Sequence, residues 1–268
     1  MKKNTEILEG IYHRGQEKIW DGRKILEDLL QKHDGVGSVP PAKAAALQNI
    51  FAVILHGELA AWNVSLQLAE KLTDPGAKMA ATSQAHDEAR HFYVMRDYLN
   101  SYENQTPPVP RPVQEALEMV LQTDNLAKKL LGMQLMVEPV ALTIFQEIRR
   151  VSPEPVLAEL LEYFERDEAR HVALGVTHLP TVVKKLGVVQ ITSLIMWQMK
   201  LFMLELHGLK ELRGDFEVLG LDIESVFALA EQKQLTALQD FVVELGISSR
   251  VWEPVQYFIR FQKKRFLR

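Results

Sequence analysis

Asp87-Glu88-Ala89-Arg90-His91 and Asp167-Glu168-Ala169-Arg170-His171 are the same five residues in the same order, 80 positions apart. Glu58 and Glu138 precede them with the same separation, and so do Pro75 and Pro155. Positions three apart are neighbours on a helix surface, so on a helix each Glu-x-x-His pair projects from one face. Two such pairs and two further glutamates, brought together between four helices, supply four carboxylates and two imidazoles. That set of ligands binds two metal ions.

The surroundings of the two isolated glutamates decide between this reading and a solvated helix face. A lone Glu-x-x-His is ordinary on a surface. Glu58, however, sits in the apolar run from Phe51 to Trp62, and Glu138 in the run from Leu130 to Leu142. A buried carboxylate must be paired or hold a metal, and no basic residue lies within a turn of either. The expected ligands are therefore Glu58, Glu88, His91, Glu138, Glu168 and His171. Four carboxylates with two histidines make a hard, oxygen-rich site, suited to iron or manganese rather than to tetrahedral zinc. Two iron ions are the leading cofactor, with a manganese/iron pair as the variant.

Working outward, apolar residues recur at spacings of three and four with no sustained alternation, which predicts an all-α protein. A first helix is expected from about Asn4 to Lys32, ending before Gly35-Val36-Gly37. No strand precedes that Gly-x-Gly and a third glycine is missing, so it reads as a linker rather than a phosphate loop. Pro40-Pro41 opens a helix to about Leu72, and Thr73-Asp74-Pro75-Gly76 breaks it. The next helix runs from about Pro75 to Tyr102. Four prolines between Pro107 and Pro112 mark a crossover, and residues 103–122 carry the chain back along the bundle. The third bundle helix is expected to start near Thr123-Asp124 rather than at Val113, and the fourth to run from about Glu154 to Leu179 and stop at Pro180. Helices at about Thr181 to Arg213, Phe216 to Lys233 and Trp252 to Arg268 follow. The 268 residues read as a single domain: a linker-joined N-terminal helix over 1–40, a metal-binding core over 41–179, and a helical extension over 180–268.

Composition bounds the function. Net charge is −4 with both signs interspersed, giving no footprint for nucleic acid. Cysteine is absent, which removes disulfides, thiolate nucleophiles and iron–sulfur clusters from this chain, so electrons must come from an external donor. Met1 to Gly15 has scattered charges and no apolar signal region, and a reducing cytoplasm is the expected compartment. Val188 to Met199 is too short and too mixed to span a bilayer.

The paired pattern, over about Pro41 to Leu179, resembles the ferritin-like di-iron carboxylate superfamily. Arg166-Asp167-Glu168-Ala169-Arg170-His171 in particular is similar to the last ligand helix of ribonucleotide reductase small subunits and the ligand-binding oxidases related to them. The resemblance implies a ferritin-like four-helix bundle with additional N- and C-terminal helices. It also implies dioxygen as a co-substrate. A metal-bound histidine usually donates its other N–H to a carboxylate, and the reductase pattern implies a crossed arrangement, Asp87 serving His171 and Asp167 serving His91. Arg90 and Arg170 are left with two readings, pairing with these aspartates or facing solvent.

Departures from the family patterns narrow the activity. The radical tyrosine of many reductase subunits stands one turn after the first histidine, where this chain has Met95. Simple ferritins lack anything like the apolar region after Pro180. Trp62, Gln84, Leu142, Phe164 and Gly175 fall one turn from the expected ligands, and Met199 and Met203 lie in that apolar region. These seven are the expected lining of a substrate cavity, since mostly apolar surroundings shield reactive intermediates from water. The expected function is a dinuclear iron or manganese/iron oxidase or oxygenase acting on a small lipophilic substrate. The competing class is an iron-binding, ferroxidase or peroxide-scavenging protein without an organic substrate. The oligomeric state, single chain or homodimer, is left open.

Overall fold

The computed structural model describes residues 2–101 and 107–224 continuously, and scattered positions from 226 to 261. Every regular element among the described residues is helical: α1 (Lys2–Glu17), α2 (Gly22–Lys32), α3 (Pro41–Lys71), α4 (Pro75–Leu99), α5 (Arg111–Gln122), α6 (Leu126–Gly132), a π-helical turn (Met133–Val137), α7 (Glu138–Val151), α8 (Pro155–Val183), α9 (Val188–Glu211) and α10 (Arg213–Leu219). The chain is an all-α bundle whose four central members are α3, α4, the run α6–π–α7, and α8.

Capping chemistry sets where these helices begin. Asp74 accepts a hydrogen bond from the Ala77 amide at 2.9 Å and opens α4. Glu154 is fully buried and does the same for α8, accepting from Val156 N and Leu157 N. It also accepts from Gly37 N and from the Tyr98 hydroxyl, so the Gly35–Gly37 linker is pinned to the start of α8. Leu47, Ile50, Phe51, Val64 and Leu68 of α3 meet Val94, Met95, Leu157, Leu160 and Leu161 in one continuous core. By length and composition α3 could cross a bilayer, but most of its apolar stretch is buried inside the protein, together with Glu58.

Several expected boundaries change. The first helix is two, because Asp21 caps a new start by accepting from Lys24 N, and Trp20 turns into the core at the break. Residues 103–122 are more than a connection. Arg111–Gln122 forms an amphipathic helix that buries Ala116, Leu117 and Val120, and α6 then starts after an Asn125 cap. Pro180 does not end α8. Pro180 gives up its own bond to the carbonyl four residues back, but Lys184 N still bonds Pro180 O, and the helix continues to Val183. The next helix starts later than expected, after Gly187. In the expected Phe216 to Lys233 helix, α10 already ends at Leu219, because Gly220 adopts a left-handed conformation at φ 76°. Tyr102, much of 225–233 and most of Trp252 to Arg268 lie outside the described residues.

The π turn also departs from the simple repeat. Pro139 lies inside the helical run 126–151 and has no N–H for the carbonyl four residues back. A widened turn there absorbs the mismatch. α8 makes room for it at Gly175, where a β-carbon would lie 2.5 Å from Gln134 Cβ.

Outside the four central helices, α1 and α2 lie on α4 and α8, while α5, α9 and α10 cover the α3 side. Lys129 of α6 is buried and points its ammonium at the carbonyls of Val120 and Leu121 and at Gln67, tying α6 to the end of α5.

Candidate metal centre

The fold brings all six expected ligands into one buried cluster. Glu58 comes from α3, Glu88 and His91 from α4, Glu138 from the first turn of α7, and Glu168 and His171 from α8; none is more than 4% exposed. Their ligand atoms form two overlapping groups, Glu58–Glu88–His91–Glu168 and Glu88–Glu138–Glu168–His171, each with atoms within 4.8 Å of one another. Glu88 and Glu168 belong to both groups, the position of bridging carboxylates. His91 Nδ1 faces Glu168 at 3.2 Å and Glu58 at 3.3 Å; His171 Nδ1 faces Glu88 at 2.9 Å and Glu168 at 3.0 Å. Glu88 Oε2 and His91 Nδ1 are buried without a hydrogen-bond partner. Inward-facing orphan donor atoms among oxygen-rich carboxylates are what a cation would satisfy. The cluster fits a dinuclear metal centre.

Behind the histidines, the crossed arrangement is the one present. Asp167 Oδ2 lies 3.3 Å from His91 Nε2, and Asp87 Oδ2 lies 3.4 Å from His171 Nε2. Both arginines turn inward. Arg90 donates to Asp87 and Asp167, and Arg170 donates to Asp87 and lies 2.9 Å from Asp167, so two aspartates and two guanidiniums close a buried ring across α4 and α8. Trp20 completes it, its indole N–H donating to Asp167 at 2.7 Å while Arg90 stacks over its ring. Trp20 was not legible as part of the site. Its only sequence signal is an aromatic N–H donor just before the Asp21 break, and its partner is 147 positions away.

Burial works against charge here, and neighbours decide which groups keep it. Desolvation raises Glu58 and Glu138 well above the ordinary carboxylate range, a push that His91 opposes at Glu58 and that Glu168 and Glu88 reinforce at Glu138. Burial pushes Glu88 the same way, yet His171 and His91 outweigh it and hold this carboxyl well below that range. Burial would also discharge His91, but the carboxylates of Asp167, Glu168, Glu58 and Glu88 facing it push it well up. His171 is raised likewise, by Glu88, Glu168 and Asp87 against its own burial. For Asp167, burial is overcome by His91, Arg170 and Trp20, which keep it strongly acidic. Without metal, burial and the crowding of carboxylates thus favour the protonated forms of Glu58, Glu138 and both imidazoles.

Asp167→Asn or Asp87→Asn is expected to leave the helical content unchanged and to weaken metal affinity roughly 10–100-fold, because the imidazole loses the partner that orients it. Circular dichroism with metal titration reads both. Wild-type affinity in both variants would reduce the aspartates to structural members of the arginine ring.

An apolar cavity of about 100 Å³ reaches the two glutamates that belong to one ligand group each. Its walls are Val53, Ile54 and Ala61 of α3, Val113, Ala116 and Leu117 of α5, Val140, Ala141 and Ile144 of α7, and Leu209 of α9, with Glu58, Glu138 and Glu205 as its acidic members. None of the seven expected lining residues is among them. Gln84 and Phe164 instead lie buried against the ligands, Phe164 stacking on His91 with ring centroids 4.3 Å apart. Trp62 packs toward Phe92, Leu142 is half-buried, and the space beside Gly175 is filled by the π turn. Met199 and Met203 lie on roughly the opposite side of α9 from Glu205, Gly208 and Leu209, at 3.6 residues per turn. The cavity could not be read from the sequence because its walls include α5, which the crossover reading hid. Met95 is buried, and Tyr93 packs against Gly22.

Comparison with known proteins places this geometry. No curated protein sequence matches the chain. Among solved structures, a Synechococcus protein with aldehyde deformylating oxidase activity superposes with a TM-score of 0.63 at 19% identity, covering 80% of this chain and 97% of that one. An R2-like ligand-binding oxidase with a reconstituted Mn/Fe cofactor gives 0.63 at 15% identity over 91% and 93%. A putative class I ribonucleotide reductase from Bacillus halodurans gives 0.63 at 13% over 90% and 92%. These likenesses establish the ferritin-like bundle. Residues 4–185, which carry all six clustered glutamates and histidines, the aspartate–arginine ring and Trp20, match the family model for methane, phenol and alkene hydroxylases, and the chain belongs to that family.

Proposed function

We propose that this protein is a dinuclear iron, or manganese/iron, oxygenase that inserts oxygen into a small apolar molecule held in the cavity between α3, α5, α7 and α9. The observation that carries this reading is the cavity itself, an apolar space with Glu58 and Glu138 in its wall. Its volume is of the order of an engineered cavity of ~150 Å³ that takes benzene, so the substrate is a compact hydrocarbon or a lightly substituted relative.

The resident metal pair would supply the activation of dioxygen. Glu58, Glu88, His91, Glu138, Glu168 and His171 would hold the ions, and Asp87 and Asp167 would fix the two imidazoles. The apolar walls position the substrate beside the carboxylates and keep bulk water out. Hydroxylation that puts one oxygen atom into the product and one into water consumes two electrons and two protons. With no cysteine in the chain, those electrons come from an external donor in a reducing compartment, which we take to be the cytoplasm. The family and the oxidases among the solved relatives support an oxygen-using centre over a mineral store.

The test supplies ferrous iron, a chemical reductant, labelled dioxygen and benzene. Expected are uptake of about two irons per chain, then no more, and a product carrying label. Ala116→Phe, which fills the cavity away from the ligands, should keep both irons and lower product formation roughly 100-fold through misplaced substrate. Continued uptake of tens of irons with no labelled product would overturn the oxygenase in favour of storage.

A further inference from the structure

The internal repeat is broken at positions that touch the ligands. One turn before Glu88 stands Gln84, whose counterpart 80 residues on, before Glu168, is Phe164. One turn before Glu138 stands Gln134, whose counterpart before Glu58 is Ile54. Both amides end on the same side of the cluster. Gln84 Nε2 donates to Glu138 at 2.9 Å and to Glu88 at 3.0 Å, and Gln134 Nε2 donates to Gln84 Oε1 at 3.1 Å. Carboxylates that hold a metal are ionised and only accept, so Gln84 must then turn its NH₂ to the glutamates and its carbonyl to Gln134, which fixes the direction of the chain. Both amide side chains are at most 1% exposed. At the other position Phe164 stacks on His91 and Ile54 lines the cavity, and neither side chain offers a hydrogen bond.

Resting on the metal reading above, we propose that Gln84 and Gln134 are positioning residues that make the two metal positions unequal. The ion held by Glu138 and His171 depends on the amide pair, and the ion held by Glu58 and His91 does not. Gln84 orients two of the four ligands of the first of these positions, including Glu138, which serves no other. It touches only the shared Glu88 of the second. The π turn aims Gln134, and the absence of a side chain at Gly175 leaves it room.

Manganese(II), titrated without oxygen and followed by the EPR signal of the free aqueous ion, reads the two positions as separate steps. Gln84→Met keeps the side-chain length and removes the donor. It is expected to weaken one step roughly 10–100-fold, the loss typical of an outer partner of a metal ligand, and to leave the other unmoved. Gln134→Met should weaken the same step by less, and it carries the test if Gln84→Met does not fold. Phe164→Leu should spare that step. In a Glu138→Ala background, which removes the ligand that only this position uses, Gln84→Met should cost far less than in the wild type, since only its bond to the shared Glu88 is left to lose. Equal weakening of both steps, or of neither, in a Gln84→Met protein that melts like wild type would overturn the inequality and leave the metal reading standing. A wild-type chain that binds no manganese or iron overturns both.

Discussion

Replacing Glu88 and Glu168 together by alanine is expected to take metal content from about two ions per chain to none, while the helical content stays at its wild-type value. These two carboxylates are the only ones common to both ligand groups, so their loss strips each position of two ligands at once. The remaining Glu58–His91 and Glu138–His171 pairs cannot hold a hard cation against water. The fold has reason to survive. Loss of the two carboxylates takes away partners that keep His91 and His171 charged and should lower the melting temperature of the metal-free protein, but the apolar core joining α3, α4 and α8 is untouched. Elemental analysis with circular dichroism decides. A double variant that retains two ions would mean that the cluster is not the metal centre.

The second large effect is a reversal of pH dependence on metal loading. In the metal-free protein, burial raises Glu58 and Glu138 well above 4.5, and the surrounding carboxylates raise His91 and His171 well above 6.5. A group whose folded pKa is raised contributes stability that is complete below its unfolded value and lost as pH rises through the folded one. The metal-free protein should therefore melt at progressively lower temperature as pH climbs from about 6.5 upward. Glu88, Glu168, Asp87 and Asp167 are lowered instead, so their contribution is present above the unfolded range near 4 and disappears only in acid. Cations replace the protons, and ligands must be deprotonated to bind them. Metal affinity should accordingly rise with pH, and binding should release protons into unbuffered solution. Differential scanning fluorimetry of both forms between pH 6 and 9 checks the signs. A metal-free protein stabilised by alkali would contradict the charge distribution derived for the cluster.

The sequence by itself determined the helical class, the bundle members and the six clustered residues, because these follow from local rules. Helical periodicity, proline at helix starts, and a Glu-x-x-His pair on one face need no knowledge of what lies opposite, and the spacing of Glu58, Glu88, His91, Glu138, Glu168 and His171 appears twice. The crossed aspartates came only through the family resemblance, and the geometry matches it. What lay beyond reach depends on contacts between segments far apart in the chain. Trp20 reaches Asp167 only because the helix breaks at Asp21. The inward turn of Arg90 and Arg170 is decided by the packing of α4 on α8, which encloses both aspartates. The cavity is walled jointly by α3, α5, α7 and α9, and Met199 and Met203, expected as lining from the apolar region after Pro180, fall on roughly the opposite side of α9. Gly175, expected in the cavity lining, packs instead against Gln134 and Leu135 of the π turn, a contact between segments about 40 positions apart. Periodicity is a property of one helix, whereas a cavity wall is shared by several, and their relative placement is fixed by packing that no single segment encodes.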